Sequence, residues 1–169
     1  LANTACGYQA SFRNTDGNTN TALGYEALYT NTQGDRNTAV GHQALYTMNP
    51  SGNADSYNTG VGFYALYANT IGYRNTAVGG LSLDALVTGN NNTAIGYAAA
   101  TSRTSGNDNV AVGAYCMNAV ATANHNTAVG KSAMHDLTTG SENVAMGVNA
   151  LFACTTGYNN VALGYRALD

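Results

Sequence analysis

Asn75-Thr76-Ala77-Val78-Gly79 is one of ten near-copies of a single five-residue phrase, and its recurrence decides the fold. The copies begin at Asn3, Asn20, Asn37, Asn58, Asn75, Asn92, Asn109, Asn126, Asn143 and Asn160. Every step is 17 residues except Asn37 to Asn58, which is 21. A fixed period of this size means that one unit cannot bury its own apolar face and must stack on the next. The second residue is Thr seven times and Val three times, and the fourth is aliphatic, Met or Cys. A β-branched run of four closed by Gly reads as a short strand. The expectation is an all-β chain: a parallel β-solenoid, or β-roll, of about ten 17-residue coils forming one repeat domain over 1–169.

Side chains alternate across a strand, so positions two and four face one way and position three the other. Position three is Ala in nine copies and Gly60 in the tenth. Neither face is freely polar, one carrying Thr or Val with an aliphatic residue, and an apolar two-faced strand is buried on both sides. One face can be the interior of its own coil. The other needs a cover that one thin solenoid cannot supply, and a neighbouring copy of the chain supplies it. The partner expected on these grounds is the chain itself, as a homo-oligomer.

Two residues beyond the Gly comes a second apolar pair, seen as Ala27-Leu28, Ala44-Leu45, Ala65-Leu66 and Ala150-Leu151. It suits a second strand, with one residue to each face, or a single tight turn. Seventeen residues leave no room for a strand and a full helix, since the shortest leucine-rich coil has about 20. Gly closes the strand in all ten copies, and a second Gly column runs through Gly17, Gly34, Gly72, Gly89, Gly106, Gly140 and Gly157. Both mark corners that need positive φ or close backbone approach. Asn75, Gly79, Asn92 and Gly96 exemplify these structural positions. The Asn column has two candidate roles: a ladder of stacked amides, or left-handed corners.

The irregular third unit carries four extra residues and the only Pro within Met48–Tyr57. Such insertions form loops on one face of a solenoid, often the binding face, or neutral bulges at an exposed corner.

Only 9% of the 169 residues are charged, against roughly 25% in ordinary soluble domains. Residues repeated in every coil stack in columns, and like charges about 4.8 Å apart would repel. Scarcity of charge therefore suits the stack. A net charge of −3 leaves no basic patch for nucleic acid or anionic lipid. No apolar run reaches the length of a membrane span. The chain starts and stops inside repeats without a signal peptide or polar caps, and so reads as a segment of a longer fibre.

Chemistry-bearing residues are scattered. Asp108 and Glu142 share a column two coils apart, which reads as a solvated corner rather than an acid–base pair. His42, His125 and His135 lie in three columns without metal-ligand spacing. The sequence therefore points to no catalytic residue, no metal and no cofactor, and to a protein that is not an enzyme. Cys6, Cys116 and Cys154 share no spacing, and small buried hydrophobes suit them better than a disulfide framework. Tyrosines follow the repeat Gly (Tyr8, Tyr25, Tyr97, Tyr165) and the repeat Leu (Tyr29, Tyr46, Tyr67). Tyr25, Tyr29, Tyr46, Tyr67 and Tyr97 are the candidates for weak glycan or receptor contact, unless such columns simply pack on one another.

The element Asn-Thr-Ala-Val-Gly-x-x-Ala-Leu resembles the Ala-Ile-Gly-x-x-Ser/Ala-x-Ala element of YadA-like head repeats in trimeric autotransporter adhesins. It also resembles Asn-Thr-Ala-Gly-rich repeats of phage and algal-virus tail fibres. The resemblance runs from Asn3 to Leu168. It implies a left-handed, homotrimeric β-roll on a cell or virion surface, extracellular and used for attachment. The 17-residue period departs from the shorter coil usual in adhesin heads, so the turn must be larger. The function expected is a structural and attachment fibre, about 48 Å long at roughly 4.8 Å per coil. One alternative is an ice-binding solenoid using the Thr column, which Val110, Val144 and Val161 interrupt. A tailspike polysaccharide depolymerase is the other.

Overall fold

The computed structural model describes residues 2–52, 54–102, 104–119 and 122–169. The chain winds as a parallel β-solenoid with one three-residue strand per coil: β1 (Thr4–Cys6), β2 (Thr21–Leu23), β3 (Thr38–Val40), β4 (Thr59–Val61), β5 (Thr76–Val78), β6 (Thr93–Ile95), β7 (Val110–Val112), β8 (Thr127–Val129), β9 (Val144–Met146) and β10 (Val161–Leu163). These form one ten-stranded sheet in sequence order. Register is equivalent to equivalent, as in Thr76↔Thr93, Ala77↔Ala94 and Val78↔Ile95. The 21-residue step keeps it too, since Thr38 pairs with Thr59 and Val40 with Val61. The described residues contain no helix long and apolar enough to cross a membrane.

The strand has an inner and an outer face. Ala22, Ala39, Ala77, Ala94, Ala111, Ala128, Ala145 and Ala162 are buried inside the coil. They lie against the Ala-Leu element. At Gly60, the one departure, an added Cβ would stand 3.1 Å from the Ala65 carbonyl oxygen and 3.4 Å from Leu45 Cγ. The Cys116 thiol, in the Ala-Leu element, donates to the Ala128 carbonyl at 3.3 Å. A wall this close leaves room for a methyl group and nothing larger.

The Ala-Leu element is the tight turn rather than the second strand. Ala27 and Leu28 are both buried, as are Ala44 with Leu45 and Ala65 with Leu66. A strand would send one of each pair outward. The backbone avoids this by left-handed φ on either side of the Ala, at Gln43 (52°) and Leu45 (53°) for example. Left-handed φ costs a non-Gly residue about 1 kcal/mol. It recurs in three columns, two of them in all ten coils and the third, the residue before the repeat Asn, in the nine coils after the first, as at Arg74 and Asn91. Burial of the Leu and the ladder hydrogen bonds from coil to coil, such as Leu66 N to Ser82 O at 3.0 Å, offset that strain.

The two Gly columns serve different needs. Gly79 has φ of 130°, and an added Cβ would lie 2.4 Å from the Gly96 carbonyl oxygen. In the second column Gly106 has φ of 108°, but Gly89 has no positive φ, and a Cβ there would still lie 2.3 Å from the Gly106 carbonyl oxygen. Its requirement is close approach alone. The Asn column is a ladder and not a left-handed corner. Asn75 Nδ2 donates to the Gly89 carbonyl at 2.7 Å, closing its own coil. Its Oδ1 accepts from the Asn92 backbone N–H at 3.0 Å, tying that coil to the next. Asn92 repeats both bonds with Gly106 and Asn109. These amides are buried, so each must be paired, and the ladder pairs both ends.

The insertion is tied into the coil on either side of its tip. Met48 is fully buried at a position that Asn31 and Asn69 hold in neighbouring coils. Pro50 is also buried, against Gly34. Arg36 pairs with Asp55 and lies 5.4 Å over the Tyr57 ring. Ser51 and Gly52 form the exposed tip. Asn53 lies outside the described residues.

Candidate functional site

Two surfaces stand out, and neither is a cleft. No enclosed pocket exists among the described residues. No group of three His, Cys, Asp or Glu side chains among them could hold a metal ion.

The first surface is the outer strand face. Positions two and four point away from the Ala core along all ten strands, and every residue there is Thr, Val, Leu, Ile, Met or Cys. Leu23 is 48% exposed, Ile95 42% and Met146 44%. Parallel register sets these side chains in two unbroken rows. With about 4.8 Å per coil and about 3.4 Å per strand residue, the stripe is some 40 Å long and 10 Å wide. An uncharged strip on that scale matches the largest apolar patches of ordinary monomers, which are often functional.

The second surface is confined to the first four coils, where aromatic side chains form two rails. On one, Tyr8, Tyr25, His42 and Phe63 stack with centroids 5.2, 5.0 and 5.2 Å apart. On the other, Phe12, Tyr29, Tyr46 and Tyr67 stack at 5.7, 5.2 and 5.3 Å. Interplanar angles on the second rail are 12° or less. Coil spacing sets the stacking distance, so identical side chains in one column meet face to face. The first rail stops at Gly80, and the second at Asp84. Tyr97 stands apart from both and meets Tyr115 edge-on at 5.6 Å.

Four of the five tyrosine candidates thus belong to the rails, Tyr25 on one and Tyr29, Tyr46 and Tyr67 on the other. Tyr25, Tyr29 and Tyr46 have both ring faces occupied by neighbours and Tyr67 has one, which leaves mainly ring edges and hydroxyls for any ligand. Between the rails runs a row that sequence reading did not single out: Gln9, Glu26, Gln43 and Tyr64. Gln43 Nε2 donates to Glu26 Oε2 at 2.5 Å. The Glu26 charge, helped by burial and a hydrogen bond, raises the Tyr25 phenol above its ordinary pKa. Burial and the same Glu26 charge raise Tyr46. Phe12 and His42 were also missed as rail members. Phe12 follows Ser11 where other coils have Leu, and His42 replaces Tyr, so neither matches its column by residue type.

The remaining candidates stay dispersed. His125 sits between Asp108 and Glu142 in their column, with Nε2 3.6 Å from Asp108 Oδ2, and all three are solvent-exposed. His135 stacks on Phe152 at 4.9 Å and hydrogen-bonds Asp136 at 2.6 Å. All three cysteines are free thiols. Cys116 is fully buried, and burial pushes its thiol up to about 12. Cys6 is exposed at the position Leu23 holds in the next coil, so only Cys116 is the small buried hydrophobe the sequence suggested. Asp84, beyond the end of the second rail, has its carboxyl raised by burial.

No protein-family profile matches the chain, and no curated protein or solved structure is significantly similar to it.

Proposed function

We propose that the chain is the shaft of a multi-chain attachment fibre, a rigid rod whose outer strand faces are covered by further copies of itself. The observation that carries this reading is the uncharged stripe of positions two and four along the whole sheet. Every rod has the same coil rise, so a second copy meets the stripe row for row. A projected stripe of roughly 400 Å² falls short of the 800 Å² per partner of a standard interface. Three copies around one axis bring in the flanking residues of each chain as well as the stripe. A homotrimer of left-handed coils, as the adhesin-like repeats imply, satisfies that need. Placement outside a cell or on a virion, with the rails and the Met48–Tyr57 loop turned outward toward glycan or receptor, completes the proposal. It assigns the chain no catalysis, metal or cofactor.

The test is a pair of charge substitutions in the stripe, Val78→Lys and Ile95→Lys. Each should convert the assembly to monomers while the circular dichroism spectrum stays that of a β-solenoid. Short rods of uniform width in electron micrographs should disappear with it. Assembly unchanged by either lysine would refute the strand-face interface.

The outward Thr column keeps ice binding as a second reading, because Thr21, Thr38, Thr59, Thr76, Thr93 and Thr127 share one column of the outer strand face. Thermal hysteresis in a freezing-point assay would support it, and its absence would remove it.

A further inference from the structure

In the first four coils the slot between the two rails is filled by one row of side chains, and in the fourth coil the filler is an aromatic ring. The Tyr64 ring lies 4.0 Å from Phe63 and 5.0 Å from Tyr67, so a single aromatic ring bridges the rails. In the three preceding coils the same column holds Gln9, Glu26 and Gln43. These side chains are flexible and half-buried, and nothing aromatic separates the rails there. The slot also carries charge. Glu26 reaches both rails, acting on Tyr25 and on Tyr46. The rails already hold one cation, the Arg13 guanidinium, 5.3 Å over the Tyr29 ring. Arg13 opposes Glu26 at Tyr46 without reversing the rise there, which leaves the carboxylate dominant.

We propose that the slot over coils one to three binds a flat, elongated aromatic cation lengthwise. Its ring sits between the rails as the Tyr64 ring does, and its positive charge lies against the Glu26 carboxylate. Ring packing on both sides supplies the contact, and the carboxylate selects for positive charge. Gln9 and Gln43 swing into solvent to make room, at the cost of the Gln43–Glu26 hydrogen bond. Coils five to ten lack two facing rails, the His135–Phe152 stack standing alone on its line, so the site occurs once per chain. It does not depend on how many chains the fibre contains.

Thioflavin T, a planar benzothiazolium cation, is the probe, titrated into the intact chain and read by its fluorescence rise. One saturable site per chain is expected. Tyr46→Ala should weaken binding about tenfold, the loss of one aromatic contact. Glu26→Gln should weaken it several-fold. Gln43→Tyr should abolish it, because it builds the chain's own ring into the slot. That variant should fold, since Tyr64 already occupies the equivalent position at φ 56° against 52° for Gln43. Tyr97→Ala should leave binding unchanged. The site is refuted by the absence of saturable binding, or by binding that survives Gln43→Tyr. Full affinity in Glu26→Gln would overturn the role given to charge.

Discussion

Coils one to four and coils five to ten have the same backbone and different surfaces. Both regions keep the repeat Asn, the strand Gly and a buried pair in the Ala-Leu element. Both hold the sheet in the same register. The first four coils carry two stacked aromatic rails, whereas the later ones put Gly80, Ala114, Lys131 and Val148 on one line, interrupted by Tyr97 and Tyr165, and Asp84, Thr101 and Asn118 on the other, where His135 and Phe152 form a single stacked pair. The interior varies too, since buried Asn31 and Asn69 give way to Leu86 and Leu137 at the same turn. The frame therefore rests on a few columns, and the side chains after the strand Gly and after the Leu are free to specialise.

Frame positions should then cost the same in either region, and the largest effect belongs to the strand Gly. Gly41→Ala and Gly130→Ala each place a Cβ 2.4 Å from the next coil's carbonyl oxygen. Each should destabilise by more than about 3 kcal/mol in denaturant unfolding. A large loss at only one of them would mean that the two regions are not one frame. Asn75→Leu comes next, at about 3 kcal/mol, because it strands the Gly89 carbonyl and the Asn92 N–H in the interior. Tyr46→Ala removes a ring stacked on both sides and should cost about 1–2 kcal/mol. Asn118→Ala, its counterpart in the later coils, should stay within about 0.5 kcal/mol.

The smallest effect at neutral pH is Cys116→Ala, which restores the residue its column usually holds. Its signature is alkaline. A thiol near 12 when folded and at 9.0 when unfolded holds its proton more tightly in the native state. Stability from it is full below pH 9 and falls as pH rises from 9 toward 12. The variant should lose that part of the alkaline decline. The part beginning near pH 10 should remain, from the raised Tyr25 and Tyr46 phenols.

The period, the strand, its register and the separation of its two faces were legible in the sequence because each depends on residue type at a fixed interval. Which face turns inward was not, since Ala and Val are both apolar. The decision came from the opposite wall, where Leu45 and the Ala65 carbonyl leave room only for a methyl group. The turn at Ala-Leu was harder to read, because Leu and Gln in left-handed conformation defy their local preference. The rails were half legible. Tyr columns were visible, but that their faces would be consumed by stacking, and that Glu26 and Tyr64 would lie between them, follows from the path of the turn.

The most direct measurement is the native mass of the unmodified chain by light scattering over a range of concentrations. The proposed parallel homotrimer predicts three times the 17.4 kDa of one chain. A stable mass of 17.4 kDa at all concentrations would contradict the multi-chain rod.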